Sequence, residues 1–236
     1  MSSATASIPA RFNGPPTSGN GGYACGVLAA HVDGAARVRL HVPPPLDVQM
    51  TVQSEAEGTV AMYNGDTLVG SAGTCELELD IPAAPSLEEA RDASSRYAWY
   101  DKHTFDTCFV CGPKRPAHDG LELFPGPVHD WNLIACPWTP AEDLLDDKGC
   151  VGEEYLWSAL DCPGFFAGMG AEPRPALLGQ LEGRIVAPAQ GGQDFVVYAW
   201  PLGEEGRKVY AGTAIATAEG TVVAFSRSTW IIMKSA

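Results

Sequence analysis

The sequence is short of positive charge. Fifteen Lys and Arg residues stand against 29 Asp and Glu, which gives a formal net charge of −14 at pH 7. A protein that binds a nucleic-acid backbone or an anionic membrane needs a cationic surface, so this balance argues against both partners. It does not exclude a small anionic ligand, because a local cluster of arginines can act against the overall charge.

Other features are missing as well. No stretch approaches the roughly 18 consecutive apolar residues of a membrane-spanning helix. The first residues lack the basic and apolar regions of a secretory signal. No P-loop or dinucleotide-binding glycine pattern occurs, so no cofactor is expected. The seven cysteines are an odd number without an export signal, which favours reduced thiols and a cytoplasmic location.

The most informative stretch is residues 151–166, V-G-E-E-Y-L-W-S-A-L-D-C-P-G-F-F. Apolar residues on nearly every side of residues 153–160 predict a buried helix. Asp161 follows it, and a carboxylate that is buried without partners is strongly unfavourable. Because Pro163 interrupts the helix, Asp161 could cap the amides that follow it. Alternatively, burial raises its pKa toward the range that suits a general base.

A glycine-rich loop at residues 13–22 precedes a second predicted helix, at residues 23–32. Its small side chains allow very close packing. Gly21 and Gly22 would let a ligand approach the amides at the helix N-terminus, where the dipole favours negative charge. Asn20 is the expected N-cap of this helix, with a direct substrate contact as the alternative.

The remaining sequence predicts antiparallel strands in two similar halves. Residues 39–43 and 184–188 both begin with Arg and end with Pro, and each half places a helix before a run of strands, which favours internal duplication. We predict an N-terminal repeat at 1–82, a linker with one helix at 83–104 and a C-terminal repeat at 105–236. The predicted strands are 6–12, 36–42, 48–54, 58–63, 67–79, 120–128, 131–138, 177–188, 194–201, 208–217 and 221–233.

A helix followed by an antiparallel sheet, present twice, resembles the hotdog fold in its double form, of class α+β. S-G-N-G-G-Y-A-C-G-V-L-A-A at 18–30 is similar to the first half of double-hotdog acyl-CoA thioesterases, including the type II enzymes. E-Y-L-W-S-A-L-D at 154–161 resembles their second-half helix. C-F-V-C-G-P-K-R at 108–115 resembles the segment before the first strand of phenylacetate-pathway thioesterases.

This resemblance implies an acyl-CoA or acyl-thioester hydrolase in which Asp161 orients the attacking water. In the type II enzymes a Thr and a Gln support this acid, and the pattern places Leu178 and Ser228 there, with Gln180 nearby. Hydrolysis also needs donors for the carbonyl oxyanion, such as amides at a helix start. The predicted catalytic residues are Asp161, Ser228 and Gln180, and the predicted substrate-binding residues are Asn20, Gly21, Gly22, Tyr23 and Gly152.

A non-catalytic protein that binds acyl-CoA or a fatty-acyl chain is the alternative function, because Leu178 cannot hydrogen-bond a water. A hydratase is disfavoured, since the paired Asp and His of hotdog hydratases are not found on one loop-helix segment. The expected partner is a small acyl thioester. The expected assembly is a homo-oligomer, a dimer of double hotdogs.

Cys108 and Cys111, in C-F-V-C-G-P, could be half of a zinc knuckle. Such a site needs four ligands, and the sequence offers no second C-x-x-C pair. The other candidate ligands, His103, His118, Cys136 and Cys150, are scattered along the chain. We therefore expect Cys108 and Cys111 to be reduced and metal-free, in a turn before the next strand.

Overall fold

The computed structural model describes residues 3–172 and 174–234. Within these ranges, eleven strands form one antiparallel sheet in the order β1-β3-β4-β5-β2-β8-β11-β10-β9-β7-β6. In chain order, the strands β1 to β11 are Ser3–Ala6, Ala36–Leu40, Met50–Ser54, Val60–Asn64, Thr67–Thr74, Gly126–Pro127, Ile134–Trp138, Ala176–Ile185, Phe195–Glu205, Lys208–Thr217 and Val222–Ile232.

The sheet consists of two halves that meet edge to edge. Strands from the first part of the chain lie on one side, and strands from the second part lie on the other. β2 and β8 form the seam, where Val38 faces Leu181 in antiparallel register. Both residues are buried, so the hydrophobic core continues across the seam. This arrangement confirms the predicted α+β fold of two antiparallel repeats joined at one edge.

Four α-helices lie among the described residues: α1 is Gly21–Ala29, α2 is Leu87–Ser94, α3 is Glu153–Ala159 and α4 is Cys162–Met169. α1 packs against β2 and β5, while α4 packs against β9 and β10. No helix in the described part of the chain is both long and apolar enough to cross a membrane.

α1 and α3 pack directly against each other because two glycines remove the side chains between them. A Cβ atom on Gly22 would lie 2.5 Å from the carbonyl oxygen of Trp157, and one on Gly26 would lie 2.6 Å from the Cα of Glu154. Gly22 thus faces the end of α3 and Gly26 faces its beginning, so the two helices run antiparallel. Larger side chains would force them apart.

The predicted interruption of the helix at Pro163 is observed: α3 ends at Ala159, and a separate helix, α4, begins at Cys162. Pro163 lies in the first turn of α4, where a residue without an amide hydrogen breaks no helical hydrogen bond. The segment therefore consists of two helices with Asp161 between them. α4 packs on β9 and β10 of the second half, whereas α3 packs mainly on α1 and reaches β8 through Trp157.

Two predicted strands are largely absent from the described structure, and prolines explain both. β1 ends at Ala6, and Ala10–Phe12 form a turn of 3₁₀ helix after Pro9. The predicted strand at 120–128 is reduced to Gly126–Pro127. Proline lacks the amide hydrogen that a sheet interior requires, so Pro125 and Pro127 keep this stretch irregular.

The predicted linker contains the expected helix with its capping box. The Ser86 hydroxyl accepts from the amide of Glu89 at 3.2 Å, and the Glu89 carboxylate accepts from the amide of Ser86 at 2.8 Å. α2 packs on β7. Beyond it, Trp99 is buried against Phe166 of α4, with ring centroids 5.1 Å apart. The linker therefore covers the second half of the molecule, and the proposed domain boundaries stay a prediction.

Candidate active site

Asp161 connects the two halves of the molecule. It lies between Leu160, the C-cap of α3, and Cys162, the first residue of α4, and it is only 2% exposed. Its Oδ2 accepts hydrogen bonds from the amide of Gly22 at 2.8 Å and from Nδ2 of Asn20 at 3.1 Å. Its Oδ1 has no hydrogen-bond partner in the described part of the chain.

The interpretation of Asp161 as a cap for the following amides was wrong. The residue occupies the N-cap position of α4, but its side chain makes no capping hydrogen bond there. The carboxylate instead points to the N-terminus of α1, in the other repeat. Unpaired amides and the helix dipole favour a negative charge at that position.

The environment of Asp161 raises the pKa of its carboxyl group toward neutral pH. Burial raises the pKa of its carboxyl group to about 7, and the negative charge of Cys108 acts in the same direction. The hydrogen bonds from Gly22 and Asn20 stabilise the carboxylate and oppose this shift. A carboxyl group with such a pKa is suited to accept a proton near pH 7.

Asn20 is the N-cap of α1, as predicted. Its Oδ1 accepts from the amide of Tyr23 at 2.9 Å, while its Nδ2 donates to Asp161. The side chain of Asn20 thus orients the carboxylate of Asp161 and caps the start of α1 at the same time.

An apolar cavity of about 280 Å³ borders Asp161. Its walls come from the loop before α1, the segment after β2, the linker, α4 and the ends of β8 and β11. Aromatic and aliphatic side chains dominate, which suits an apolar ligand with few polar anchors. Large lining side chains include Trp99, Phe105, Phe165, Phe166, Leu178 and Trp230.

The two glycines at the start of α1 have different roles. Gly21 lines the cavity, and its amide donates to no acceptor among the residues that the structure describes. The amide of Gly22 is bonded to Asp161 and is not available to a ligand. The expectation of two oxyanion donors is therefore reduced to Gly21 alone.

Two predicted substrate-binding residues lie away from the cavity. Tyr23 is buried and stacks on Phe12, with ring centroids 4.3 Å apart. The amide of Gly152 donates to the carbonyl of Leu144 at 3.0 Å. Neither lines the cavity: Tyr23 packs into the aromatic core, and Gly152 lies at the start of α3, at the opposite end of the α1/α3 pair from Asp161.

The structure does not bring Ser228 to Asp161. Ser228 is fully buried; its hydroxyl donates to the carbonyl of Ala211 at 3.3 Å and accepts from Nε1 of Trp230 at 3.0 Å. It lies beneath α4, where a Cβ atom on Gly164 would be 2.8 Å from the hydroxyl oxygen.

Gln180 is also outside the cavity. Successive side chains of a strand point to opposite faces, and Gln180 alternates with the buried Leu181. It accepts from Nε of Arg39 at 2.8 Å and donates to Glu182. Leu178, in contrast, faces Gly21: a Cβ atom on that glycine would lie 2.9 Å from Cδ2 of Leu178.

A cysteine cluster borders the same cavity, and its third member was not anticipated. The sulfur atoms of Cys108, Cys111 and Cys162 all lie within 4.8 Å of one another. Hydrogen bonding with Cys111 and Cys162 holds the pKa of the Cys108 thiol well below its usual value. Cys162 is 54 residues from Cys108, so no spacing motif signals the cluster.

Comparisons with solved structures agree with this architecture. A candidate thioesterase from Novosphingobium aromaticivorans superposes with a TM-score of 0.66 at 12% identity, covering 98% of this chain and 96% of that one. The tesB protein of Mycobacterium avium subspecies paratuberculosis gives 0.65 at 12%, covering 98% and 93%. A hot dog fold protein of unknown function from Alicyclobacillus acidocaldarius gives 0.63 at 11%, covering 99% and 94%.

No protein-family model matches the sequence, and no curated protein matches it. Full-length superposition at such low identity is informative about architecture, because folds persist after sequences have diverged. The order of strands and the length of the match agree with the edge-to-edge pairing of the two repeats. The chain thus has the double-hotdog fold.

Proposed function

We propose that the protein hydrolyses acyl thioesters, with Asp161 directing the attacking water. The observation that supports this most directly is Oδ1 of Asp161, a buried carboxylate oxygen that has no hydrogen-bond partner among the described residues and lies beside an apolar cavity. A buried polar atom of this kind calls for a water or ligand contact. The similarity of the fold to structures described as thioesterases is consistent with the proposal.

The residues at the cavity are suited to the steps of this reaction. A water bound to Oδ1 of Asp161 attacks the thioester carbonyl carbon, and the carboxylate accepts its proton. The negative charge that develops on the carbonyl oxygen is stabilised by the amide of Gly21 and by the N-terminus of α1. The tetrahedral intermediate then loses its C–S bond, and the departing thiolate takes up a proton.

The substrate class follows from the cavity. Its apolar walls accommodate an acyl chain or an aromatic acyl group, while the thioester lies beside Asp161 and Gly21. We propose an acyl-CoA as the thioester, as the resemblance to acyl-CoA thioesterases implies. The coenzyme A moiety would lie outside the apolar cavity.

One observation favours the second candidate, a protein that binds acyl-CoA without hydrolysing it. Leu178 faces Gly21 at the position where the resemblance implies a supporting hydroxyl, and Ser228 and Gln180 lie elsewhere. No second side chain of the predicted catalytic set is therefore near the water site. Asp161 and the helix N-terminus would then only anchor the ligand.

The experiment that tests the proposal measures thiol release from a panel of aliphatic and aromatic acyl-CoAs, together with thermal melting. Hydrolysis by the wild type, lost in Asp161→Asn without a change in fold, is the expected result. A wild type that melts at higher temperature with acyl-CoA and releases no thiol supports the binding protein instead. Neither turnover nor thermal shift with any of the panel would contradict both functions.

The dimer of double hotdogs and the cytoplasmic location remain predictions. Light scattering of the purified protein tests the first, and a monomeric mass would contradict it.

A further inference from the structure

The three clustered cysteines have the geometry of a metal site. The sulfur atoms of Cys108 and Cys162 are 3.8 Å apart, and all three sulfurs lie within 4.8 Å of one another. Zinc binds thiolate sulfur at about 2.3 Å, which places two sulfurs of a tetrahedral site about 3.8 Å apart. The cluster therefore leaves a central position that a metal ion of this size fits.

The local backbone forms the turn that such a site requires. The amide of Gly112 donates to the carbonyl of Cys108 at 2.9 Å, which closes the turn around the Cys-x-x-Cys pair. A Cβ atom on Gly112 would lie 2.4 Å from the nitrogen of Cys108, so this position requires glycine. The amides of Val110 and Cys111 point to the sulfur of Cys108. The turn thus presents one sulfur, surrounded by backbone donors, to the remaining two.

Side-chain donors also point to the sulfur atoms. Nδ1 of His103 accepts from the amide of Phe105 at 3.1 Å, so the proton of the neutral ring is on Nε2, which is 3.3 Å from the sulfur of Cys111. Nδ2 of Asn20 is 3.7 Å from the sulfur of Cys162. N–H groups around sulfur stabilise thiolates, and three buried thiolates require a cation.

We propose that Cys108, Cys111 and Cys162 bind one thiophilic divalent metal ion, with zinc the best match to the ligand type and spacing. Each metal–sulfur bond forms with release of the thiol proton. His103 serves as a hydrogen-bond donor to Cys111, and water completes the coordination. This proposal departs from the expectation that the Cys-x-x-Cys pair is metal-free.

The ion would join two parts of the molecule that the sequence separates. Cys108 and Cys111 belong to the segment that covers α4, and Cys162 is the first residue of α4, next to Asp161. A bond to Cys162 would hold the break between α3 and α4 in place. The metal site and the proposed hydrolysis are tested separately, because metal content does not depend on turnover.

The test is the metal content of the full-length protein, purified without added metal or chelator. We expect one zinc per chain in the wild type and in Cys136→Ala, and loss of this zinc in Cys162→Ser. Cys136 is the matched control because it is fully buried and lies outside the cluster, in β7. Equal metal content in the two variants would overturn the proposal.

Cobalt substitution of the wild type keeps the test valid if Cys162→Ser fails to fold. After removal of the native metal, addition of Co²⁺ should give thiolate-to-cobalt charge-transfer bands and the visible bands of tetrahedral cobalt. The proposal fails if the refilled protein lacks these bands. It also fails if the purified protein contains no metal and its intact mass under non-reducing conditions shows a disulfide within the cluster.

Discussion

The two ends of the α1/α3 pair are built from equivalent elements but differ in chemistry. At one end, α1 has Asn20 as its N-cap, and Gly21, whose amide donates to no acceptor in the described part of the chain, lines the cavity. The residue after the C-cap of α3 is Asp161, buried and directed at this helix start. This end of the pair thus combines the carboxyl group of Asp161, the glycine at the start of α1 and the apolar cavity.

At the other end the same positions carry other residues. The N-cap of α3 is Gly152, which has no side chain to cap the helix, and the first turn of α3 contains Glu153 and Glu154. The residue after the C-cap of α1 is His31, which is exposed. Two acidic side chains in a first turn would repel an oxyanion, so this end offers no comparable site. The duplicated fold therefore supplies two scaffolds, of which one carries the chemistry.

The largest expected effect is on turnover, and it distinguishes Asp161 from His31, which occupy equivalent positions after the C-caps of α3 and α1. Asp161→Asn keeps the size of the side chain and removes its charge, so thiol release should fall by ~10²–10⁴-fold, the usual loss of a general base. His31→Asn should leave turnover unchanged, because that end lacks the cavity. Steady-state kinetics on the acyl-CoA panel measure both. Similar rates for the two variants would contradict the assignment of the site to one end.

The next effect concerns the close contact of the two helices. Gly22→Ala places a Cβ atom 2.5 Å from the carbonyl oxygen of Trp157 and 2.6 Å from the Cβ of Asp161. We expect the free energy of unfolding to fall by about 3 kcal/mol, at the upper end of overpacking costs. Gly152→Ala meets the flexible side chains of Glu154 and Tyr155 and should cost less than about 1 kcal/mol. Chemical denaturation of both variants measures the difference, and equal costs would argue against the tight packing of α1 on α3.

The smallest effect compares two N-caps. Asn20→Ala and Ser86→Ala each remove a hydrogen bond to a helix start, and each should cost about 0.5–2 kcal/mol of stability. Only Asn20→Ala should also lower turnover, since Asn20 orients the carboxylate of Asp161. Thermal melting and kinetics on the same preparations separate the two contributions. A loss of turnover in Ser86→Ala would show that stability alone accounts for the effect.

Local patterns sufficed for much of the fold. Alternating apolar residues predicted β10 at its observed bounds, and the Asn64–Gly65 pair predicted the hairpin between β4 and β5, where Gly65 has φ +57°. The capping box at Ser86 was confirmed. Such features depend on hydrogen bonds and side-chain periods within a few residues, so the sequence contains them directly.

The candidate site was only partly predictable. Asp161 could be found because an acid directly after an apolar helix is unusual, and its burial is confirmed. Ser228 and Gln180 lie away from Asp161 because Ser228 is buried beneath α4 and Gln180 points to the opposite face of β8 from Leu181. Which strand side chains reach the site depends on contacts with distant elements, and no local pattern specified them.

By itself, the sequence determined the class of the fold, its two repeats, the caps at Asn20 and Ser86 and the acid that follows α3, since each is visible in neighbouring residues. Tertiary structure alone decided where that acid points. The hydrogen bond from Gly22 to Asp161 spans 139 residues, and the contact of Cys108 with Cys162 spans 54. Contacts at such separations arise from the edge-to-edge pairing of the repeats and from the close packing of α1 on α3, which place the two segments side by side.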